Sequence, residues 1–139
     1  MNEDKIFIDT NVLTYAYSVD EPNKMGKAIE ILDSGNVTIS IQVLREFFNV
    51  RFKKFKSSSD KIIKEIDKLL PMCELIEEHL EVLKLAAKLK EKYKYSFYDS
   101  LIISSALTSK CKYLYSEDMQ DGQTIEGKLK IINPFVDTT

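Results

Sequence analysis

Very short apolar runs alternate along this chain with longer stretches of helical periodicity, and this alternation constrains the fold more than any other feature. The pattern predicts strands at residues 5–8, 37–40, 113–115 and 129–132, with an ambiguous further strand at 73–76. It predicts helices at residues 10–18, 22–33, 41–55, 79–93 and 97–109, and another that follows segment 57–60 and ends near residue 71. Strands separated by helices need crossover connections, which favour an α/β fold with a parallel sheet covered by helices on both faces.

The composition favours one folded domain over residues 1–139, with enough apolar side chains to form a core. The 20 basic and 22 acidic residues nearly balance, which argues against a binder held to nucleic acid mainly by bulk charge. Two isolated cysteines, Cys73 and Cys111, and the lone His79 exclude a zinc finger and fit a reducing compartment. The sequence shows no targeting signal and no apolar stretch of membrane length, so we expect a cytoplasmic protein with no membrane partner.

Acidic side chains follow two of the predicted strands, at the edge of a parallel sheet where ligands bind. Asp9 follows the first strand, and Asp118 lies just beyond the strand at residues 113–115. Glu46 and Asp99, on predicted helices, complete the set of candidate site residues. Carboxylates held close together repel one another, and a hard divalent cation such as Mg²⁺ or Mn²⁺ removes that penalty. The sequence therefore predicts a metal site, if the four acids converge.

Each of these acids also has an ordinary structural interpretation. Asp9 has the position of a helix N-cap, and Asp99 follows Ser96 with the spacing of a capping box. Glu46 lies opposite the apolar face of its helix, where a glutamate is usually solvated. Asp118 lies in a polar segment where aspartate is common turn material. No one of these positions decides between the two interpretations.

Four segments together resemble the PIN-domain ribonucleases. Residues 6–13 (Ile-Phe-Ile-Asp-Thr-Asn-Val-Leu) are similar to the opening motif of that family, and residues 43–47 (Val-Leu-Arg-Glu-Phe) to the helix that carries its second acid. Residues 96–102 (Ser-Phe-Tyr-Asp-Ser-Leu-Ile) resemble the third motif, although the family more often has alanine after the acid. Residues 114–119 (Leu-Tyr-Ser-Glu-Asp-Met) resemble the fourth. The order and spacing of these motifs match over nearly the whole chain.

The resemblance implies a three-layer α/β/α fold with a short, mostly parallel central sheet, and RNA cleavage that depends on Mg²⁺ or Mn²⁺. It implies metal binding by Asp9, Glu46, Asp99 and Asp118. Asn11 and Ser116 would orient a carboxylate or a water, and Asp121 is a weaker additional candidate. The compact size is similar to that of VapC-type toxins, so the resemblance also implies an antitoxin partner and a homodimer.

Other functions stay open on the sequence alone. A housekeeping RNA-processing nuclease of the same fold would carry the same acids, and a PIN-like domain kept only as a scaffold would not need them. A receiver-like regulatory domain fits poorly, because it needs an aspartate after a middle strand and a lysine after the last, where this chain has Ser40 and Asn133. The basic segments 51–56 and 84–94 are either phosphate-binding surfaces or solvated helix faces.

Overall fold

The central feature of the computed structural model, which describes residues 4–136, is a six-stranded sheet of order β3-β2-β1-β4-β6-β5. Residues 1–3 and 137–139, the two ends of the predicted domain, lie outside the described residues. The strands are β1 (Ile6–Ile8), β2 (Val37–Ser40), β3 (Cys73–Ile76), β4 (Tyr113–Tyr115), β5 (Thr124–Ile125) and β6 (Leu129–Ile132). All neighbouring pairs are parallel except β5 and β6, so the predicted mostly parallel sheet is confirmed.

Six helices connect these strands: α1 (Thr10–Tyr15), α2 (Pro22–Asp33), α3 (Ile41–Lys53), α4 (Ser59–Leu69), α5 (Leu80–Tyr93) and α6 (Phe97–Thr108). The crossovers from β1 to β2 and from β2 to β3 run across the sheet in one direction, and the crossover from β3 to β4 runs back. Right-handed connections therefore place α1–α4 on one face and α5 and α6 on the other. This arrangement confirms the predicted α/β fold with flanking helices.

The hydrophobic core lies between the sheet and both helical layers. Phe7, Ile39 and Leu114 from the three central strands are fully buried. Helix α6 is apolar nearly all round and packs against α5, β2 and β4, with Ile102 and Ile103 buried. A helix of this kind is stable only when other elements cover it on several sides, which fixes the position of its first turn and of Asp99.

The predicted boundaries are close to the observed ones, with informative differences. The helix predicted at residues 10–18 ends at Tyr15, because the N–H groups of Ala16, Tyr17 and Ser18 donate to carbonyls three positions earlier, in a tighter turn. The ambiguous segment at 73–76 is a strand. Strand β5 was not predicted, since its two residues form a strand only through antiparallel pairing with β6.

Helix α5 packs against α6. It buries Val82, Ala86 and Leu89 and leaves Leu80, Leu83 and Ala87 exposed. Apolar residues occur on more than one side of this helix, so its period alone does not select the face that packs against α6. No helix among residues 4–136 combines the length and apolar character needed to cross a bilayer.

Candidate active site

The candidate site lies where the strand order reverses, between β1 and β4. The chain leaves β1 toward β2 on one side, and β4 returns to pair with β1 on the other. Ile8 pairs with Tyr115, and the Asp9 backbone N–H donates to the Tyr115 carbonyl at 2.9 Å. The residues that follow the two strands are therefore neighbours at the carboxyl edge of the sheet, the usual place for ligands in parallel sheets.

One cavity of about 330 Å³ opens at this edge, and all four predicted acids line it. We call it the acidic cavity. Asp9 comes from the end of β1, Glu46 from the middle of α3, Asp99 from the first turn of α6 and Asp118 from the loop after β4. Its remaining lining residues are Thr10, Asn11, Thr14, Tyr15, Ser18, Val50 and Lys54.

Asp9 is the most buried of the four acids, with 8% of its surface exposed. It is the N-cap of α1, where one carboxylate oxygen accepts from the Thr10 N–H at 2.7 Å. The other accepts from the Ser116 hydroxyl at 2.9 Å. Burial raises the pKa of Asp9 from an ordinary 3.8 to about 6, with smaller increases from Asp99 and Glu46, while the two hydrogen bonds oppose the shift. Asp9 is thus both a cap and a member of the cavity.

Glu46 and Asp99 are half-buried carboxylates with raised pKa values. Burial is the main cause for both; Asp99 adds to the shift of Glu46, and Asp118 adds to that of Asp99. Glu46 accepts a hydrogen bond from Gln42 one turn earlier in α3, at 3.2 Å. Asp99 lies in the first turn of α6, and its backbone N–H donates to the Ser96 hydroxyl at 3.1 Å. The predicted N-cap at Ser96 is therefore present, and Asp99 still reaches the cavity.

Asp118 is held from the opposite side of the cavity. The Asn11 amide nitrogen donates to Asp118 Oδ2 at 2.9 Å. The neighbouring Glu117 does not line the cavity, because it accepts from Lys24 at 2.6 Å and from the Tyr15 hydroxyl at 2.6 Å. Burial alone would raise the pKa of Glu117, but these two donors outweigh it and the pKa is lowered. The chain thus keeps Glu117 ionised in an ion pair and leaves Asp118 to the cavity.

The donor chemistry of the acidic cavity fits a hard divalent cation. Its four carboxylates offer oxygen ligands, which suit Mg²⁺ and Mn²⁺ better than Zn²⁺. The Asn11 Oδ1 of this lining is buried and has no hydrogen-bond partner among residues 4–136. Within residues 4–136, however, no three His, Cys, Asp or Glu side chains are already close enough to hold a metal ion. The acids surround a common space without closing on it.

Asp121 lies elsewhere, outside the lining of the acidic cavity. Its carboxylate accepts from the Asn133 N–H at 2.8 Å, which ties the turn at Asp121 and Gly122 to the end of β6. Gly122 has a φ of +86°, a conformation that glycine adopts without strain.

The basic segment 51–56 divides into residues with different environments. Arg51 is buried and binds both carboxylate oxygens of Glu65, at 2.8 and 2.7 Å, so it belongs neither to a phosphate-binding surface nor to a solvated helix face. Lys54 is the only basic residue that lines the acidic cavity in the described part of the chain. Sequence reasoning did not single it out, although its spacing of eight residues from Glu46 places both on one helix face.

Comparison with protein families matches residues 6–120 to the family model of the PIN domain. This chain belongs to the PIN domain family. The matched region contains the four acids of the cavity together with Asn11 and Ser116. No curated protein matches the sequence.

Solved structures share the fold of this PIN domain at low sequence identity. A toxin–antitoxin complex from Klebsiella pneumoniae is 20% identical with a TM-score of 0.69, over 94% of this chain and 98% of that one. FitAcB from Neisseria gonorrhoeae is 18% identical with a TM-score of 0.69, over 94% and 99%. VapC20 from Mycobacterium tuberculosis, described as a sarcin–ricin loop cleaving toxin, is 17% identical with a TM-score of 0.68, over 82% and 90%.

Proposed function

We propose that this PIN domain is an endoribonuclease that depends on Mg²⁺ or Mn²⁺ and acts as the toxin of a toxin–antitoxin pair. The observation that carries the proposal is that four acids from distant parts of the chain line one cavity at the reversal point of the sheet. Membership of the PIN domain family and the likeness in fold to toxins such as VapC20 support it. We expect the protein to act in the cytoplasm and to form a homodimer.

In this proposal Asp9, Glu46, Asp99 and Asp118 hold the metal. The ion, when bound, would offset the mutual repulsion of these carboxylates, polarise the scissile phosphate and acidify water beside it. Ser116 and the Thr10 N–H fix the orientation of Asp9, as Asn11 fixes that of Asp118.

Lys54 offsets part of the negative charge of the cavity and favours the approach of a phosphate.

The proposal is tested by incubating purified protein with a single-stranded RNA in Mg²⁺, in Mn²⁺ and in EDTA. We expect cleavage with either metal, none in EDTA and none by Asp9→Asn. Asp33→Asn is the matched control, because Asp33 is an exposed aspartate at the end of α2. This variant should cleave RNA like the wild type. Equal cleavage by Asp9→Asn would point to a contaminating nuclease and overturn the proposal.

A housekeeping RNA-processing nuclease is the second candidate, since it would need the same cavity. The two are separated by expression in a bacterial host. A toxin should arrest growth, with relief by Asp9→Asn and by a small antitoxin encoded beside it. Growth unaffected by wild-type protein that cleaves RNA in vitro would favour the processing enzyme.

A further inference from the structure

A second depression, of about 670 Å³, lies directly beside the acidic cavity. We call it the aromatic groove. Glu46 lines both spaces, so the groove adjoins the candidate active site. Its other lining residues are Gln42, Arg45, Asn49, Glu78, Leu83, Phe97, Tyr98 and Leu101.

Two helices supply side chains to the groove and to the acidic cavity alike. On α3, Gln42, Glu46 and Asn49 recur at the spacing of one helix face and line the groove together. On α6, Phe97 and Tyr98 line the groove while the next residue, Asp99, lines the cavity. Whatever binds against these aromatic rings therefore lies immediately beside the acids.

The wall formed by α6 presents large aromatic surface to solvent. Tyr98 is 63% exposed and Phe97 is 37% exposed, and their ring centroids lie 6.2 Å apart. Leu83 of α5 extends this apolar wall. Exposed apolar surface that adjoins polar residues in a depression is typical of a binding site.

The opposite wall offers polar and cationic groups. Arg45 lines the groove and is exposed, and it donates at 2.8 Å to Glu78, another lining residue, which holds its guanidinium without burying it. Asn49 is exposed on the same face of α3 and provides an amide donor and acceptor. An aromatic platform facing an amide and a guanidinium matches a nucleotide, whose base stacks and whose edge and phosphate accept hydrogen bonds.

We propose that the aromatic groove binds the unpaired nucleotide that flanks the scissile phosphate of a single-stranded RNA, with its base stacked on Tyr98 and with Phe97, whose ring is inclined at 64° to that of Tyr98, beside it. This inference rests on the proposed ribonuclease function and narrows its substrate to RNA with an unstacked base beside the cut. The position of the groove, which shares Glu46 with the acidic cavity, favours RNA over a protein segment, because a polynucleotide with one phosphate at the acids must extend along an adjoining surface.

The test compares steady-state cleavage of an unstructured RNA oligonucleotide by wild type, Tyr98→Leu and Tyr98→Phe. Tyr98→Leu removes the stacking ring and should raise KM about tenfold while kcat stays within about twofold. Tyr98→Phe keeps the ring and should behave like the wild type. Phe52→Leu is the matched control, since Phe52 is 45% exposed and lies outside the groove.

A second arm removes the base instead of the ring. An abasic nucleotide beside the mapped cleavage bond should raise the KM of the wild type by a factor similar to that of Tyr98→Leu. The same abasic RNA should raise the KM of Tyr98→Leu little further. Anisotropy of the same labelled RNA gives a binding readout that does not require turnover. An unchanged KM and binding constant in Tyr98→Leu would overturn this inference and leave the ribonuclease proposal standing.

Two further outcomes also count against the groove as a nucleotide site. If Tyr98→Leu no longer dimerises but binds RNA as the wild type does, the groove is an interface between two copies of the chain. If it loses only antitoxin binding, the groove is the antitoxin interface. Cleavage that is independent of metal, or retained in Asp9→Asn, would instead overturn the proposed function itself.

Discussion

The Ser116 hydroxyl donates a hydrogen bond of 2.9 Å to Asp9 Oδ2, which joins two side chains 107 positions apart in the chain. Ser116 is fully buried, and it also accepts from the Met119 N–H at 3.3 Å. The hydrogen bond therefore links the end of β1 to the turn that carries Asp118. Because both strands end at the same edge of the sheet, one serine orients a carboxylate of the site and shapes the loop that supplies another.

Ser116→Ala should weaken Mn²⁺ binding about 10- to 100-fold, the range expected when an outer hydrogen bond to a ligand is lost. The alanine leaves Asp9 without one of the two donors that favour its ionised form. Isothermal titration calorimetry on the purified variant measures the effect, and Ser116→Thr keeps the hydroxyl as a control. Wild-type affinity in Ser116→Ala would show that the hydrogen bond does not orient a metal ligand.

Asp9→Asn should stabilise the metal-free protein at pH 7.5. The folded chain keeps the Asp9 proton up to a pH of about 6, whereas the unfolded chain loses it near 3.8, so the free energy of unfolding falls as pH rises between these values. At neutral pH, ionisation of Asp9 lowers the free energy of unfolding by about 3 kcal/mol. The uncharged amide of Asp9→Asn avoids this loss.

Thermal melts in EDTA at pH 7.5 and pH 4 check this pH dependence. The melting temperature of Asp9→Asn should exceed that of the wild type at pH 7.5, and the difference should shrink toward zero at pH 4. Asp33→Asn controls for the loss of a charge on the surface. A wild type as stable as Asp9→Asn at pH 7.5 would contradict the raised pKa.

Lys54→Ala should weaken RNA binding and reduce by about one the number of ions released on binding. The reason is that Lys54 lines the acidic cavity and would contact phosphate there. The slope of log affinity against log salt concentration measures the number of ions released. Lys53→Ala is the matched control, since Lys53 is an exposed neighbour outside the cavity. Equal effects of the two variants would assign Lys54 to a general surface charge.

Arg51→Ala should lower the free energy of unfolding by about 3–5 kcal/mol, because removing one partner of a buried ion pair leaves the other charge uncompensated. Arg51 is 3% exposed, binds Glu65 through both oxygens, and its guanidinium carbon lies 4.9 Å from the ring centre of Phe55. Urea denaturation measures the loss. Lys27→Ala, which breaks an exposed pair with Glu30, should change stability by less than about 1 kcal/mol.

Several features of this PIN domain were predictable because they depend on local sequence. Ser96 accepts a hydrogen bond from the Asp99 N–H, as the capping-box spacing of these two residues predicted. The acids Asp9 and Asp118 follow short apolar strands, and parallel pairing carries both to one edge.

Other features depended on contacts that local sequence does not specify. Taken alone, Glu46 fitted a solvated helix face, and it reaches the acidic cavity only because α3 packs against α1 and lies beside α6. The buried face of α5, the two-residue strand β5 and the burial of Arg51 likewise depend on distant partners.

The sequence by itself determined the alternation of strands and helices, the helix caps and the identity of the acids, since these follow from periodicity and from hydrogen bonds within a few residues. Only the tertiary structure decided that the acids share one cavity, that Lys54 lines it and that Tyr98 stands exposed beside it. The reason is physical: side-chain convergence depends on how separate elements pack, and packing is set by contacts between residues far apart in the chain.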